Sequence, residues 1–308
     1  MLKVAIAVIK NKAGQVLISK RADHVDQAGL WEFPGGKLEA GESTHQALSR
    51  ELAEELGITV LAAKPLLQIK HQYEDLAVFL DVYTVDDFAG KARGMEGQPV
   101  KWVDKSELVN FPFPAANQRI VETLLLPAYY PIVDECLGTE VDMLVQLERL
   151  LAAGHQMIQL RAKSLSAEQF KVLAKAALSL CETKGVMLFL NTSLQCAREL
   201  NASAVHLSGY ELINSQMEPF EGLQVGASCH TEDELYQAAQ QGALFAVLSP
   251  VCNSKTHPEA EPLGWDVFAE RVLNVPLPVY ALGGLQREDL VTALAAGGQG
   301  IAAIRGFV

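Results

Sequence analysis

From Tyr129 onward the sequence repeats one unit eight times: a short β-rich run, followed in most cases by a helical pattern. The runs are YPIVDE (130–135), MIQLRAK (157–163), VMLFLNT (186–192), AVHLS (204–208), QVGASCH (224–230), FAVLSPV (245–251), PVYALGG (278–284) and GIAAIRG (300–306). Helical stretches fall between most of them, as at 139–153, 166–183 and 232–241. Strands in this number, separated by crossover helices, predict a parallel (β/α)8 barrel of the TIM type. At about 180 residues it is small for that fold. The eighth run lies at the end of the sequence, so the usual last helix is expected to be missing. Backbone turns after the seventh and eighth strands, ALGG and AIRG, are candidate phosphate sites.

The first 127 residues follow another pattern. KVAIAVI (3–9) and QVLIS (15–19), separated by KNKAG, predict a β-hairpin. LAVFLDVYTV (76–85) and PVKWVD (99–104) are further strand candidates. Ser43 or Thr44 can cap a helix running to Leu56, which Gly57 can end. A second helix is expected over 115–126. The expectation is a mixed sheet with two helices over 1–127, a short linker near Pro127, and the barrel over 128–308. A chain of 308 residues, 49% hydrophobic and 20% charged, has material for two cores.

Charge and cysteine content restrict the partners. A net charge of −12 argues against gripping a nucleic acid polymer. It leaves room for a small phosphate ligand held through a metal ion or a local cationic pocket. The N-terminal stretch is too short in apolar residues for a signal peptide, and no run approaches the ~20 apolar residues of a membrane span. The five cysteines are scattered and never form a CxxC pair, which fits reduced thiols and a cytoplasmic protein.

The expected helix at 44–56 carries Glu51, Glu54 and Glu55 at i, i+3 and i+4, so the three share one face beside a Leu48, Leu52, Leu56 stripe. An exposed acidic face is the common meaning of such a cluster. The repulsion can be relieved by a basic neighbour, and Arg50 stands four residues before Glu54. It can also be relieved by a divalent cation, since grouped carboxylates are a hard oxygen site suited to Mg2+ or Mn2+.

The full spacing decides between these meanings. Gly36 is followed after five residues by Glu42, and after seven more by Arg50-Glu51-Leu52. One residue further stands Glu54-Glu55, and one further Gly57-Ile58. This pattern is similar to the Nudix box at every defined position. The resemblance implies an α/β/α sandwich, with Glu51, Glu54, Glu55, the Gly35 carbonyl and Glu96 holding Mg2+ or Mn2+. It further implies Arg50 orienting the glutamates and Glu42 supporting the loop. Glu51, Glu54 and Glu96 are the candidates for activating water.

Within that family MLKVAIAVI, ISKRAD, LWEFPGGKLEAGE, GMEGQPVKW and FPFPAAN resemble the MutT type, which hydrolyses 8-oxo-dGTP to 8-oxo-dGMP and pyrophosphate. The likeness implies that Asn117 reads the oxidised guanine edge, although Asn117 also suits a helix cap. Arg21 falls beside the nucleotide, to meet phosphate or base, and Phe33 packs on the base or the core. Phe79 reads better as core than as pocket lining. The segment HQYEDLAVF has no arginine where the family closes on the base.

The second half resembles thiamine phosphate synthases over about 129–306. The carriers are MIQLRAKSLS, AVHLSGYEL, GASCHT, LSPVCNSKTHPEAEPLGW and VYALGGL. The resemblance implies that Gln159, Arg161 and Lys163 bind phosphate with Gly283 and Gly284. It departs where the family has a metal-binding aspartate and this chain has Thr192 after Asn191. Glu211 is a candidate stand-in for the second aspartate. A related thiazole tautomerase keeps the barrel without that metal pair and uses a histidine, so His230 is a candidate acid/base, or a residue bonded inside the barrel mouth. Alternatives are a bifunctional enzyme of thiamine metabolism and a ligand-sensing or scaffolding barrel.

Overall fold

The computed structural model describes residues 1–21, 29–214, 220, 222–253 and 260–307. Two expected motif segments lie partly outside these: Ala22 and Asp23 of ISKRAD, and 254–259 of the long loop before Trp265. The chain divides into two compact units, Met1–Leu125 and Leu126–Val308.

The first unit is built from β1 (Leu2–Ile9), β2 (Val16–Lys20), β3 (Trp31–Glu32), β4 (Gly35–Lys37), α1 (Thr44–Leu56), β5 (Thr59–Gln72), β6 (Ala77–Ala89), β7 (Val100–Val103) and α2 (Ala115–Leu124). The expected mixed sheet forms, with β1 parallel to β6 and antiparallel to β4, and a second, antiparallel sheet accompanies it. One has the order β4-β1-β6-β5 and the other β3-β2-β7. The expected hairpin does not form. β1 pairs in parallel with β6 and antiparallel with β4, while β2 pairs with β3 and β7. An isolated bridge between Lys10 and Val16 is what remains of it. The turn sequence reverses the chain, and each strand then finds a better partner farther along.

Helix α1 begins at a capping box. The Ser43 hydroxyl accepts from the Gln46 N–H at 3.4 Å, and the Gln46 side chain accepts from the Ser43 N–H at 2.9 Å. Gly57 ends it in the left-handed conformation, φ 66°. Ala47, Leu48, Leu52 and Leu56 are fully buried in a core shared with Ala5, Ala7, Ile9 and Leu17. This stripe fixes the helix on the sheet and turns its acidic face away from the core.

The second unit runs β8 (Tyr129–Asp134), α3 (Glu140–Ala152), β9 (Met157–Arg161), α4 (Ala167–Glu182), β10 (Met187–Leu190), α5 (Leu194–Glu199), β11 (Ala204–Leu207), α6 (Gly209–Asn214), β12 (Gln224–Cys229), α7 (Glu232–Gln241), β13 (Phe245–Leu248), α8 (Gly264–Val272), β14 (Val279–Leu282), α9 (Leu290–Ala295) and β15 (Gly300–Ala303). Its strands are parallel and close into a barrel, β15 pairing with β8. The structure is the α/β barrel that the eight runs predict.

Inside the barrel Tyr130, Phe189, Phe245 and Tyr280 interlock, with ring centroids 5.0–5.8 Å apart. Gly226 is required there, because a Cβ would stand 2.6 Å from the Phe245 ring and 2.8 Å from His206 Nδ1. The aromatic layer makes the interior a packed core and leaves the polar residues at the strand ends to form the open face.

Candidate functional site

In the first unit the loop glycines bring β4 and α1 into contact. A Cβ on Gly35 would lie 2.1 Å from the Ala5 carbonyl, and one on Gly36 2.1 Å from the Glu51 carboxylate. At Gly35 the neighbour is backbone and φ is 144°, so glycine is required; at Gly36 a side chain would push the Glu51 carboxylate aside. Arg50 then organises the acidic face. Its Nε and Nη2 donate to the two oxygens of Glu42 at 3.0 and 2.8 Å, and its Nη1 donates to Glu51 at 2.7 Å. Nη2 also donates to the Lys37 carbonyl at 3.1 Å, and Nη1 is 3.7 Å from Glu54. These hydrogen bonds, first of all those to Glu42, raise the guanidinium pKa and hold Glu42 below the usual carboxylate range.

Glu55 stands apart from this network. Its Oε2 accepts the Gly35 N–H at 3.4 Å. Burial pushes its carboxyl up to about 8, and the charges of Glu51, Glu32 and Glu96 push in the same direction. Three carboxylates in the last two turns also oppose the helix dipole, and no basic residue stands in the last turn. This surplus of negative charge fits a divalent cation, and the donors are the hard oxygens such an ion takes. Among the described residues no three such side chains are gathered into a closed cation site, because Arg50 holds Glu51 and Glu54 points to solvent.

Glu96 is exposed on a loop docked against the end of α1. The Met95 N–H and Gln98 Nε2 both donate to the Glu55 carbonyl, at 2.9 and 3.0 Å. Sequence reasoning did not single out Glu32, which pairs with Arg21 and is raised by its own burial. The signal for it was its place in the same WEFPGG loop. Arg21 is thus held by a carboxylate. Phe33 is core: it is buried and stacks on Phe113 at 5.3 Å.

Asn117 is buried in the first turn of α2 and does not cap it. Pro114 holds the cap position, and no side chain caps there. The Asn117 Oδ1 accepts the Phe33 N–H at 3.3 Å, and its Nδ2 has no recorded protein partner among the described residues.

In the barrel, a cavity of about 650 Å³ opens at the strand ends. Gln159, Arg161, Lys163, His230, Gly283 and Gly284 all line it, together with His206, Ser228 and Arg305, which sequence reasoning did not assign. Arg161 is paired with buried Asp134. Lys163 has no recorded ion partner among the described residues. The His230 Nδ1 lies 2.9 Å from the Ser249 carbonyl. A carbonyl only accepts, so Nδ1 carries the proton and Nε2 is the acceptor in the neutral ring.

Deeper in, His206 Nδ1 meets the Tyr130 hydroxyl at 3.1 Å and Nε2 meets the Ser228 hydroxyl at 3.0 Å. Gln159 donates to the same Tyr130 hydroxyl at 3.2 Å and accepts from Asn191 at 3.3 Å. Burial, then Arg161 and Lys163, pushes the His206 pKa down to about 3. Glu211 does not face the cavity. Its carboxylate accepts from the Ser208 N–H and hydroxyl at 3.1 and 3.0 Å. Thr192 lines a separate cleft of about 380 Å³.

Known proteins resemble each half. The Nudix domain family model matches residues 5–123, and the thiamine monophosphate synthase model matches 129–307. An 8-oxo-dGTP diphosphatase of Haemophilus influenzae is 38% identical over 41% of this chain and 92% of its own. A CTP pyrophosphohydrolase of Escherichia coli is 35% identical over 41% of this chain and 92% of its own. A thiamine-phosphate synthase of Thermus thermophilus is 31% identical over 52% of this chain and 79% of its own. The chain therefore belongs to two families at once, the Nudix hydrolases of the MutT type through its first unit and the thiamine monophosphate synthases through its barrel.

Proposed function

We propose that the first unit hydrolyses 8-oxo-dGTP to 8-oxo-dGMP and pyrophosphate, with Mg2+ or Mn2+, and so clears oxidised nucleotide from the precursor pool. That it is a hydrolase of phosphoric anhydrides rests on its family. The choice of nucleotide rests on Asn117. A buried amide with an unpartnered Nδ2 and one remaining lone pair on Oδ1 can present a donor and an acceptor to a purine edge.

Glu51, Glu54, Glu55, Glu96 and the Gly35 carbonyl are assigned to the cation. When bound, the cation neutralises phosphate oxygens and makes water more acidic. The chain does the rest. Arg50, braced on Glu42, fixes the Glu51 carboxylate. A carboxylate among Glu51, Glu54 and Glu96 takes the proton of the attacking water as its oxygen bonds to phosphorus in line. The bond from that phosphorus to the bridging oxygen breaks, giving the monophosphate and pyrophosphate.

The test is pyrophosphate release from 8-oxo-dGTP, dGTP and CTP, side by side, by the full-length protein. A strong preference for 8-oxo-dGTP is expected. Equal or negligible turnover of it would discard this substrate, with CTP as the first replacement.

For the barrel, the reading favoured is a site for a phosphorylated ligand, held by Gln159, Arg161, Lys163 and the Gly283-Gly284 turn, with His230 as acid or base. The observation behind it is that no carboxylate is among the described residues lining the cavity. With Thr192 elsewhere and Glu211 committed to Ser208, metal-dependent thiamine phosphate synthesis finds no carboxylate ligand among the described residues lining the cavity. Formation of thiamine phosphate from its two phosphorylated precursors would overturn this and make the protein bifunctional.

A further inference from the structure

We propose that Tyr73 is a specificity-determining residue of the nucleotide site, its phenolic hydroxyl donating to the carbonyl oxygen that oxidation adds to guanine at C8. The inference rests on the 8-oxo-dGTP reading and goes beyond it by naming what distinguishes the oxidised base.

Tyr73 lies just past β5, in the segment HQYEDLAVF that lacks an arginine. Its position is fixed from three sides. Its N–H donates to the Leu76 carbonyl at 2.9 Å and closes the turn into β6. The His71 ring meets it edge-on, centroids 4.4 Å apart. Its body packs on the core cluster that contains Phe33 and Ala116.

The hydroxyl then reaches the first turn of α2, where it accepts the Ala116 N–H at 3.3 Å. A phenol has one hydrogen as well as its acceptor lone pairs. With the acceptor side engaged, that hydrogen has no recorded acceptor among the described residues. The next residue is Asn117, with one Oδ1 lone pair taken by Phe33 and Nδ2 unpartnered. The Tyr73 hydroxyl donor therefore stands against the helical turn that carries the Asn117 amide acceptor and donor.

The chemistry of the two bases separates them on this array. Guanine offers N7 and O6 as acceptors along its major-groove edge and a carbon-bound hydrogen at C8. Oxidation places a carbonyl at C8 and a hydrogen on N7, so the edge reads acceptor, donor, acceptor. Asn117 can match two of these groups and the Tyr73 hydroxyl the third. A site built to bond a polar group discriminates strongly, because an analogue without it leaves a partner unpaired.

The experiment measures kcat and KM for 8-oxo-dGTP and dGTP with the wild type and Tyr73→Phe, together with the melting temperature of each. Loss of one hydrogen bond should lower the 8-oxo-dGTP to dGTP ratio of kcat/KM by about ten-fold, with the change in KM for the oxidised substrate. If the hydroxyl only caps α2, the melting temperature falls and the ratio stays, which overturns the proposal. Equal losses on both substrates overturn it too. A wild type without preference for 8-oxo-dGTP overturns the parent reading and this one together, whereas a preference that survives Tyr73→Phe overturns this one alone.

Discussion

The outer face of α1 and the mouth of the barrel present opposite charges to what we read as the same kind of ligand. On α1, three glutamates crowd the end of a helix whose dipole disfavours them, and Glu55 is buried enough to be pushed up to about 8. The barrel mouth is lined by Arg161, Lys163 and Arg305 and by no carboxylate among the described residues; Asp134 pairs with Arg161, and Glu211 turns to Ser208. The first needs a cation from outside before a phosphate can approach. The second brings its own. A net charge of −12 describes neither, because a site's potential is set by the few groups within a Debye length.

The sharpest way to break this contrast is Glu54→Gln. Hydrolysis should fall about 100-fold or more in kcat, measured as pyrophosphate release. Near-normal turnover would remove this face from the reaction. Next is inorganic pyrophosphate titrated into the full-length protein in EDTA, followed by calorimetry. Binding should persist without a divalent cation, and Lys163→Met should weaken it about ten-fold. Binding that appears only with Mg2+ would make the two sites alike.

Asn117→Ala tests the base-reading role. The preference for 8-oxo-dGTP over dGTP should fall about ten-fold with cation affinity kept. An unchanged preference would take Asn117 out of that role.

The last effect concerns stability and leaves turnover alone. His206 is buried neutral, and its folded pKa of about 3 lies below the ordinary 6.5. Between these values the unfolded state binds the extra proton. The contribution of His206 to barrel stability is therefore complete above about pH 6.5 and is lost as pH falls below it, by at most about 1.4 kcal/mol per pH unit. Amide exchange in β11, corrected for intrinsic rates, should show the slope between pH 7 and 5. His206→Gln should flatten it.

Legibility differed between the halves for a physical reason. The barrel strands were readable because each is a short buried run between a helix and a polar loop, and its partners are its neighbours in sequence. In the first unit the hairpin expectation failed, because β1 pairs with β6, 76 residues on, a choice made by tertiary packing. Strand β5 was not foreseen. It contains Pro65, Lys64 and Lys70, lies at a sheet edge, and pairs with β6 through register shifts that blur any alternation.

At the sites the same division holds. The spacing of Glu51, Glu54 and Glu55 on one helix is a local property, so the sequence by itself determined that these three groups share a face. It also determined the helix that carries them, through Ser43, Gln46 and Gly57. Tertiary structure decided which groups are engaged. It placed Arg50 between Glu42 and Glu51, left Glu55 with one backbone donor, turned Glu211 back on Ser208, and set Tyr73 against the turn that holds Asn117. Those contacts join residues far apart in the chain or depend on which way a side chain turns. Burial and hydrogen-bond competition in the folded state settle them, and spacing along a sequence does not record either.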